Sequence, residues 1–345
     1  MSIFVEIQNS MKKITILFFI LTFLSCKKNE VTTEPYNTEH TIDWMQDLIK
    51  KYPSKNISLK DICMPRAHDA AMYEVNNCYA GNACNTKTQY RTMKSMLESG
   101  IRVFDVRPVL KDGVFWTYHA THCEGFGCDG VLLKTFLDET KTYLENHNEL
   151  LIFDLTHFCN TSSDDMAFLN LLNTSLGNTI YKQDSTNSNL FINTPLSDII
   201  NENSGGKVVL KMEDLLANNH QEGYFNNTFI PVEGTYANKA DAEEMKADQK
   251  VKFTAYNSSN ESLFRISWTV TMDNALALNC FNEDRNPLSI EDITKDATNL
   301  LASTIDEWIN NGTIQKAKIP NILSVDFADI FVTEQCIKIS EFNLN

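Results

Sequence analysis

The chain has 345 residues, 43% of them hydrophobic, with only 12 glycines and 8 prolines. That composition is globular and excludes collagen-like or low-complexity character. Thirty Lys and Arg stand against 45 Asp and Glu, a formal net charge of -15, which argues against nucleic-acid binding and against electrostatic attraction to an anionic membrane.

Met11-Lys12-Lys13 is followed by an apolar run from Ile14 to Leu24 and then by Ser25-Cys26. A charged start, a short apolar stretch and a small residue before a cysteine describe a secretory signal. The run is too short to span a bilayer, which takes about 20 residues. Leu24-Ser25-Cys26 resembles a bacterial lipobox, so residues 1–26 are expected to be a signal with the mature protein starting at a lipidated Cys26. Met11 is then a better start than Met1. Residues 27–40 are polar and aperiodic and suit a flexible tether, leaving 41–345 as one folded domain. The expected location is periplasmic or cell-surface, anchored through that lipid.

Helical spacing of apolar residues over 42–52 ends at Pro53. Beyond it, strands are expected at 59–64, 101–109, 114–119, 150–156, 207–212, 264–270 and 321–327, with helices at 89–98, 131–147, 163–173, 239–249 and 290–311. Runs such as LLIFDL and ILSVDF are apolar at nearly every position, which fits parallel strands covered on both faces. The alternation predicts one α/β domain. No G-x-G-x-x-G follows an early strand and no P-loop is present, so a TIM-like parallel barrel fits better than a Rossmann sheet.

Nine cysteines are present. Setting Cys26 aside leaves an even number, as expected of disulfides in an oxidising compartment. Cys78 with Cys84, and Cys123 with Cys128, are the expected local pairs, while the pairing of Cys63, Cys159, Cys280 and Cys336 is open. The string His119, His122, Cys123, Cys128 offers a zinc site as the alternative, but lacks the usual two separated ligand pairs.

In α/β barrels, chemistry sits where strands end. Those positions hold His68-Asp69 after the first strand, Asp105 and Arg107 at the second, and Tyr118-His119 at the third. Further on come Asp154, Thr156 and His157, then Lys211, Arg265 with Trp268, and Asp326. Two histidines, an arginine and carboxylates on one rim suit phosphoryl chemistry. One imidazole takes a proton from an attacking hydroxyl while the other gives one to the leaving oxygen, and the arginine holds the phosphate. The plain alternatives are a loop-capping histidine and an ordinary ion pair inside the barrel. The aromatics Tyr224, Phe225 and Phe229 are read as packing rather than membrane contact.

The order of these motifs resembles the phosphatidylinositol-specific phospholipases C, in particular bacterial members consisting of the catalytic X domain alone. The likeness rests on LKDICMPRAHD (59–69), SGIRVFDVRP (99–108), FWTYHA (115–120) and FLDETKTYLENHNELLIFDLTHF (136–158). Later strands carry it more weakly. The resemblance implies His68 as general base towards the inositol 2-hydroxyl, oriented by Asp326. It implies His119 as general acid, paired with Asp69, and Arg107 as the phosphate contact. Lys211 matches an inositol-hydroxyl contact, and Asp105, Thr156, Arg265 and Trp268 complete the expected substrate site. Calcium-dependent members carry a carboxylate at Arg107, an asparagine at Asp69 and a glutamate at Thr156, so no metal or other cofactor is expected.

The expected reaction releases diacylglycerol and inositol 1,2-cyclic phosphate from phosphatidylinositol or inositol-glycan lipids, by a monomer. The rivals are a metal-dependent glycerophosphodiester phosphodiesterase and a non-catalytic surface lipoprotein binding inositol phosphates. The former usually shows His-Arg-Gly and Glu-x-Asp where this chain has His-Asp and Asp-x-Arg.

Overall fold

The computed structural model describes residues 41–345 except 124, 185–189, 202–203, 214–218, 260 and 283–285. The expected signal, Cys26 and tether lie outside the described residues. In chain order the elements used below are α1 (Trp44–Lys51), β1 (Met64–Ala67), β2 (Asn76–Tyr79), α2 (Ala83–Thr86), α3 (Met93–Glu98), β3 (Val103–Val106), β4 (Pro108–Lys111), β5 (Val114–Ala120), β6 (Gly127–Leu132), α4 (Leu133–Leu144), β7 (Leu150–Leu155) and α5 (Met166–Leu176). They continue with β8 (Lys207–Met212), β9 (Tyr224–Phe225), β10 (Val232–Glu233), α6 (Ala242–Ala255), β11 (Leu263–Trp268), α7 (Asn274–Asn279), α8 (Ile290–Asn310), β12 (Ile322–Val325) and α9 (Ile330–Leu344).

Eight strands form one sheet in the order β10-β11-β12-β1-β3-β7-β8-β9, and every pairing in it is parallel. The sheet curls into a distorted TIM-like α/β barrel. Among the described residues no ladder joins β9 to β10; instead Phe225, Ile230 and the partly buried Phe229 and Val232 close that side by packing. These aromatics therefore pack, as their sequence setting suggested.

Register and side-chain alternation sort the barrel strands into two faces. Phe104, Phe153, Leu210, Ile266, Leu323 and Val325 point outward into the core shared with the helices. Met64, Val103, Ile152, Val209, Leu263 and Ile322 form an apolar layer inside. One step further along the same inward parity stand Arg66, Asp105, Asp154, Lys211 and Arg265. The barrel is thus sealed with carbon below and lined with charge towards the C-terminal strand ends, where active sites form in this architecture.

Three expectations change. The first strand is not 59–64 but Met64–Ala67, running through Pro65. The β1–β3 ladder opens only at Arg66, opposite Val103, so the missing proline N–H has no ladder bond to lose. Residues 114–119 form a strand, but not one of the barrel. They lie in β5 of a separate antiparallel sheet ordered β2-β6-β5-β4. The terminal helix α9 was not expected; it buries Val332, Cys336, Ile339 and Leu344.

The disulfides are also redistributed. Cys78 pairs with Cys128, Cys84 with Cys280 and Cys123 with Cys159, in place of the local Cys78–Cys84 and Cys123–Cys128 pairs. Antiparallel pairing of β2 with β6 sets Tyr79 against Gly127, which brings Cys78 to Cys128 rather than to its neighbour in sequence. With both thiols of the H-x2-H-C-x4-C string consumed, that string is not a zinc site. Cys63 and Cys336 are buried free thiols with sulfurs 3.5 Å apart. No helix among the described residues is long and apolar enough to cross a membrane.

Candidate active site

The site starts where β1 runs out. His68 donates its backbone N–H to Val325 O and so stays in line with β12. The chain then turns sharply at Asp69, whose φ is 42°, a left-handed conformation that Asp tolerates better than most residues. The end of β12 mirrors this, with Asp326 followed by Phe327 at φ 50°. Left-handed backbone costs more at a bulky aromatic. Phe327 is held there by its N–H to Thr88 O at 2.7 Å and by stacking on Tyr90. Gln89 clamps the two turns together, donating to His68 O at 2.8 Å and accepting from Ala328 N–H at 2.8 Å.

Between these turns His68 Nδ1 meets Asp326 Oδ1 at 2.8 Å, which fixes the ring and directs Nε2 into the site. Around Nε2 lie Arg107 Nη2 at 3.3 Å and Asp69 Oδ2 at 3.5 Å. His119 arrives from the antiparallel sheet rather than from a barrel strand. Its Nδ1 donates to Thr86 O at 2.9 Å, leaving Nε2 3.5 Å from the same Asp69 Oδ2. Arg107 Nε pairs with Asp69 Oδ1 at 2.6 Å. The five residues expected to carry chemistry are therefore brought together.

Beneath them lies a floor of paired charges. Asp105 and Asp154 are register neighbours, and Arg66 Nη2 relieves their repulsion at 3.2 and 3.1 Å. Lys211 Nζ reaches Asp154 at 2.7 Å, and Thr156 Oγ1 donates to Asp105 at 3.1 Å. Arg265 donates to Gly234 O at 3.1 Å and sits over the Tyr236 ring. Trp268 alone of the expected substrate residues lies elsewhere. It stands three places after Arg265 and so on the opposite strand face, buried against Trp308, with its indole N–H on Ala297 O at 2.7 Å. Two residues of the site were not singled out from sequence. Arg66 is 2% exposed, and Tyr236 places its ring 5.2 Å from that of His68. The 64, 66, 68 alternation could have found Arg66; nothing in the sequence marks the Tyr236 loop.

The electrostatics of the two histidines differ. Burial disfavours charge on His68, but Asp69, Tyr236 and Asp326 outweigh it and raise its pKa to about 10. At His119 burial prevails over Asp69, helped by Arg107, and the pKa falls below 6.5. Asp69 itself is held below the usual carboxylate range: burial opposes its ionisation, but Arg107 and both histidines override that. His68, Asp69 and Asp105 bring potential metal-ligand atoms within 4.8 Å of one another. The set fits a hard dication poorly. Such an ion takes 6–8 oxygen ligands, whereas here Arg107 and Arg66 already contact the two carboxylates.

In structure the chain resembles the bacterial phosphatidylinositol-specific phospholipases C. Against the phosphatidylinositol-specific phospholipase C of Staphylococcus aureus the TM-score is 0.60 at 18% identity, covering 87% of this chain and 98% of that one. Against that of Listeria monocytogenes it is 0.57 at 19% identity, covering 82% and 94%. At such identities the shared property is the fold. No protein-family model and no curated protein sequence matches the chain.

Proposed function

We propose that the chain is a phosphorus–oxygen lyase that cleaves phosphatidylinositol or inositol-glycan lipids without a metal. The observation that carries this is the pair of imidazoles meeting at Asp69, with Arg107 paired to that same carboxylate. His68 Nε2 takes the proton of the inositol 2-hydroxyl, whose oxygen bonds to phosphorus. The bond from phosphorus to the glycerol oxygen breaks, and His119 Nε2 protonates that oxygen. The products are inositol 1,2-cyclic phosphate and diacylglycerol. Arg107 stabilises charge on the phosphoryl oxygens, in the place where a cation would otherwise be needed. Asp105, Lys211, Arg265 and Thr156, with Arg66, face the inositol hydroxyls.

The reaction requires one proton on the pair of imidazoles, carried by His119. The resting site favours that proton on His68. Both Nε2 atoms lie 3.5 Å from the same carboxylate oxygen, so the two arrangements are isomers with equal proton count. An anionic phosphate beside His119, and a hydroxyl donating to His68, both favour the reactive isomer. We further propose a monomer, exported and anchored by lipid at Cys26, acting at a membrane surface.

The test is release of inositol 1,2-cyclic phosphate from phosphatidylinositol. His68→Ala and His119→Ala are each expected to lower it by about 10²–10⁴-fold with the thermal melt retained. Chelator should leave the wild-type rate unchanged; loss of rate in EDTA would favour the metal-dependent phosphodiesterase. Binding of inositol phosphates without turnover would favour the non-catalytic reading.

A further inference from the structure

The charged floor faces one side of the histidines. On the other side opens a cavity of about 840 Å³ with predominantly apolar walls. His68, His119 and Asp326 form its inner end, so it is continuous with the reacting centre. Val270 and Ala277 line it, and Phe126, Leu278 and Phe281 form an exposed rim. Soluble proteins rarely leave several large apolar side chains exposed around one opening without a ligand or partner for them. The roof, α7, is tied down from across the opening. Cys280 is bonded to Cys84 of α2, and Asn82 Nδ2 donates to Cys280 O at 2.9 Å. A cavity of this size is that of a pocket built for a small ligand.

We propose that this cavity seats the apolar leaving group of the substrate, taking the glycerol backbone and the first methylenes of its acyl chains from a single lipid molecule. This rests on the proposed lyase reading and adds to it a selectivity for acylated over deacylated phosphodiesters. The assignment of sides follows from the geometry. The hydroxyl-rich half of an amphiphile matches the floor of Arg66, Lys211 and Arg265. The apolar half must then leave towards the cavity, whose wall includes His119, the imidazole that protonates it, and its neighbour Ala120. Because the pocket is preformed, the selectivity should be expressed on dispersed single molecules and should not require a bilayer. Each methylene buried is worth about fourfold, so two or three give about thirtyfold.

The experiment compares kcat/KM for dihexanoylphosphatidylinositol, kept below its micelle concentration, with that for glycerophosphoinositol. Wild-type protein is expected to prefer the acylated substrate by about thirtyfold. Ala277→Trp fills the cavity from its roof and is expected to reduce that ratio to near unity. Leu278→Asp, at a solvent-exposed position that does not threaten folding, should also reduce it. Calorimetry with dihexanoylglycerol alone reports on the pocket independently of turnover, with binding to wild type and none to Ala277→Trp. If both substrates are cleaved with a ratio that neither variant alters, the pocket is wrong and the lyase reading stands. A preference seen only above the micelle concentration likewise overturns the pocket in favour of membrane insertion of the rim. If neither substrate is cleaved but dihexanoylglycerol binds wild type alone, the pocket stands and the lyase reading fails.

Discussion

At the scale of single residues, the site is governed by how four carboxylates are shared among cations. Asp326 serves His68, Asp69 serves both imidazoles and Arg107, and Asp105 and Asp154 are neutralised from below by Arg66 and Lys211. On the proposed mechanism the pair of imidazoles must hold one proton, and it gains a second when pH falls through the depressed pKa of His119. It loses its last when pH rises through that of His68, near 10. The kcat/KM profile is therefore expected to be a broad plateau, with an acid limb below 6.5 and an alkaline limb near 10. An alkaline limb close to neutrality would contradict it. Asp326→Asn removes one of the anions raising His68, so the alkaline limb should move down, and kcat should fall by up to about 10⁴-fold as ring orientation is lost. A purely structural role for Asp326 would lower the rate without moving the limb. His68, Asp69, Arg107 and Asp326 were legible in sequence because each sits at or just beyond a strand end, where position alone implies convergence. Arg66 lies within β1 and not at its end, so only the parity of that strand marks it as inward-facing.

At the scale of elements, alternation decides which side chains can meet. Arg265 and Trp268 are three apart on β11 and cannot share a face, so the tryptophan belongs to the helix-side core. Trp268→Ala should cost about 3–5 kcal/mol of stability while leaving kcat/KM unchanged, measured by denaturant unfolding and steady-state turnover; a selective loss of turnover would return it to the site. The same logic separates β5 from the barrel strands. LLIFDL in β7 is buried at every position, whereas VFWTYHA in β5 has an exposed start and half-buried residues along its length. That difference in burial distinguishes a sheet with one covered face from one covered on both. Strand type was visible; membership of a second sheet was not, because it depends on β2 and β6, whose Gly-, Asn- and Cys-rich segments carry no periodic pattern.

At the scale of the whole molecule, the disulfides record contacts that local spacing does not reveal. Their sequence separations are 50, 196 and 36 residues, so each joins loops that only the finished fold brings together. Cys63 and Cys336 link the approach to β1 with α9 without a bond between them, and both are fully buried. Alkylation under native conditions should leave both unmodified, and denaturation without reductant should expose both, read by mass spectrometry of the peptides. Labelling of Cys63 or Cys336 in the native protein would show that α9 opens. His119 rides on the antiparallel sheet, whereas His68 rides on the barrel. The proposed acid and base thus stand on separate sheets, and the proposed activity depends on those sheets staying in register. A mild reductant acting on Cys78–Cys128 and Cys123–Cys159 is then expected to lower the proposed turnover while the barrel's circular dichroism is still that of the intact fold. Loss of function would precede loss of shape.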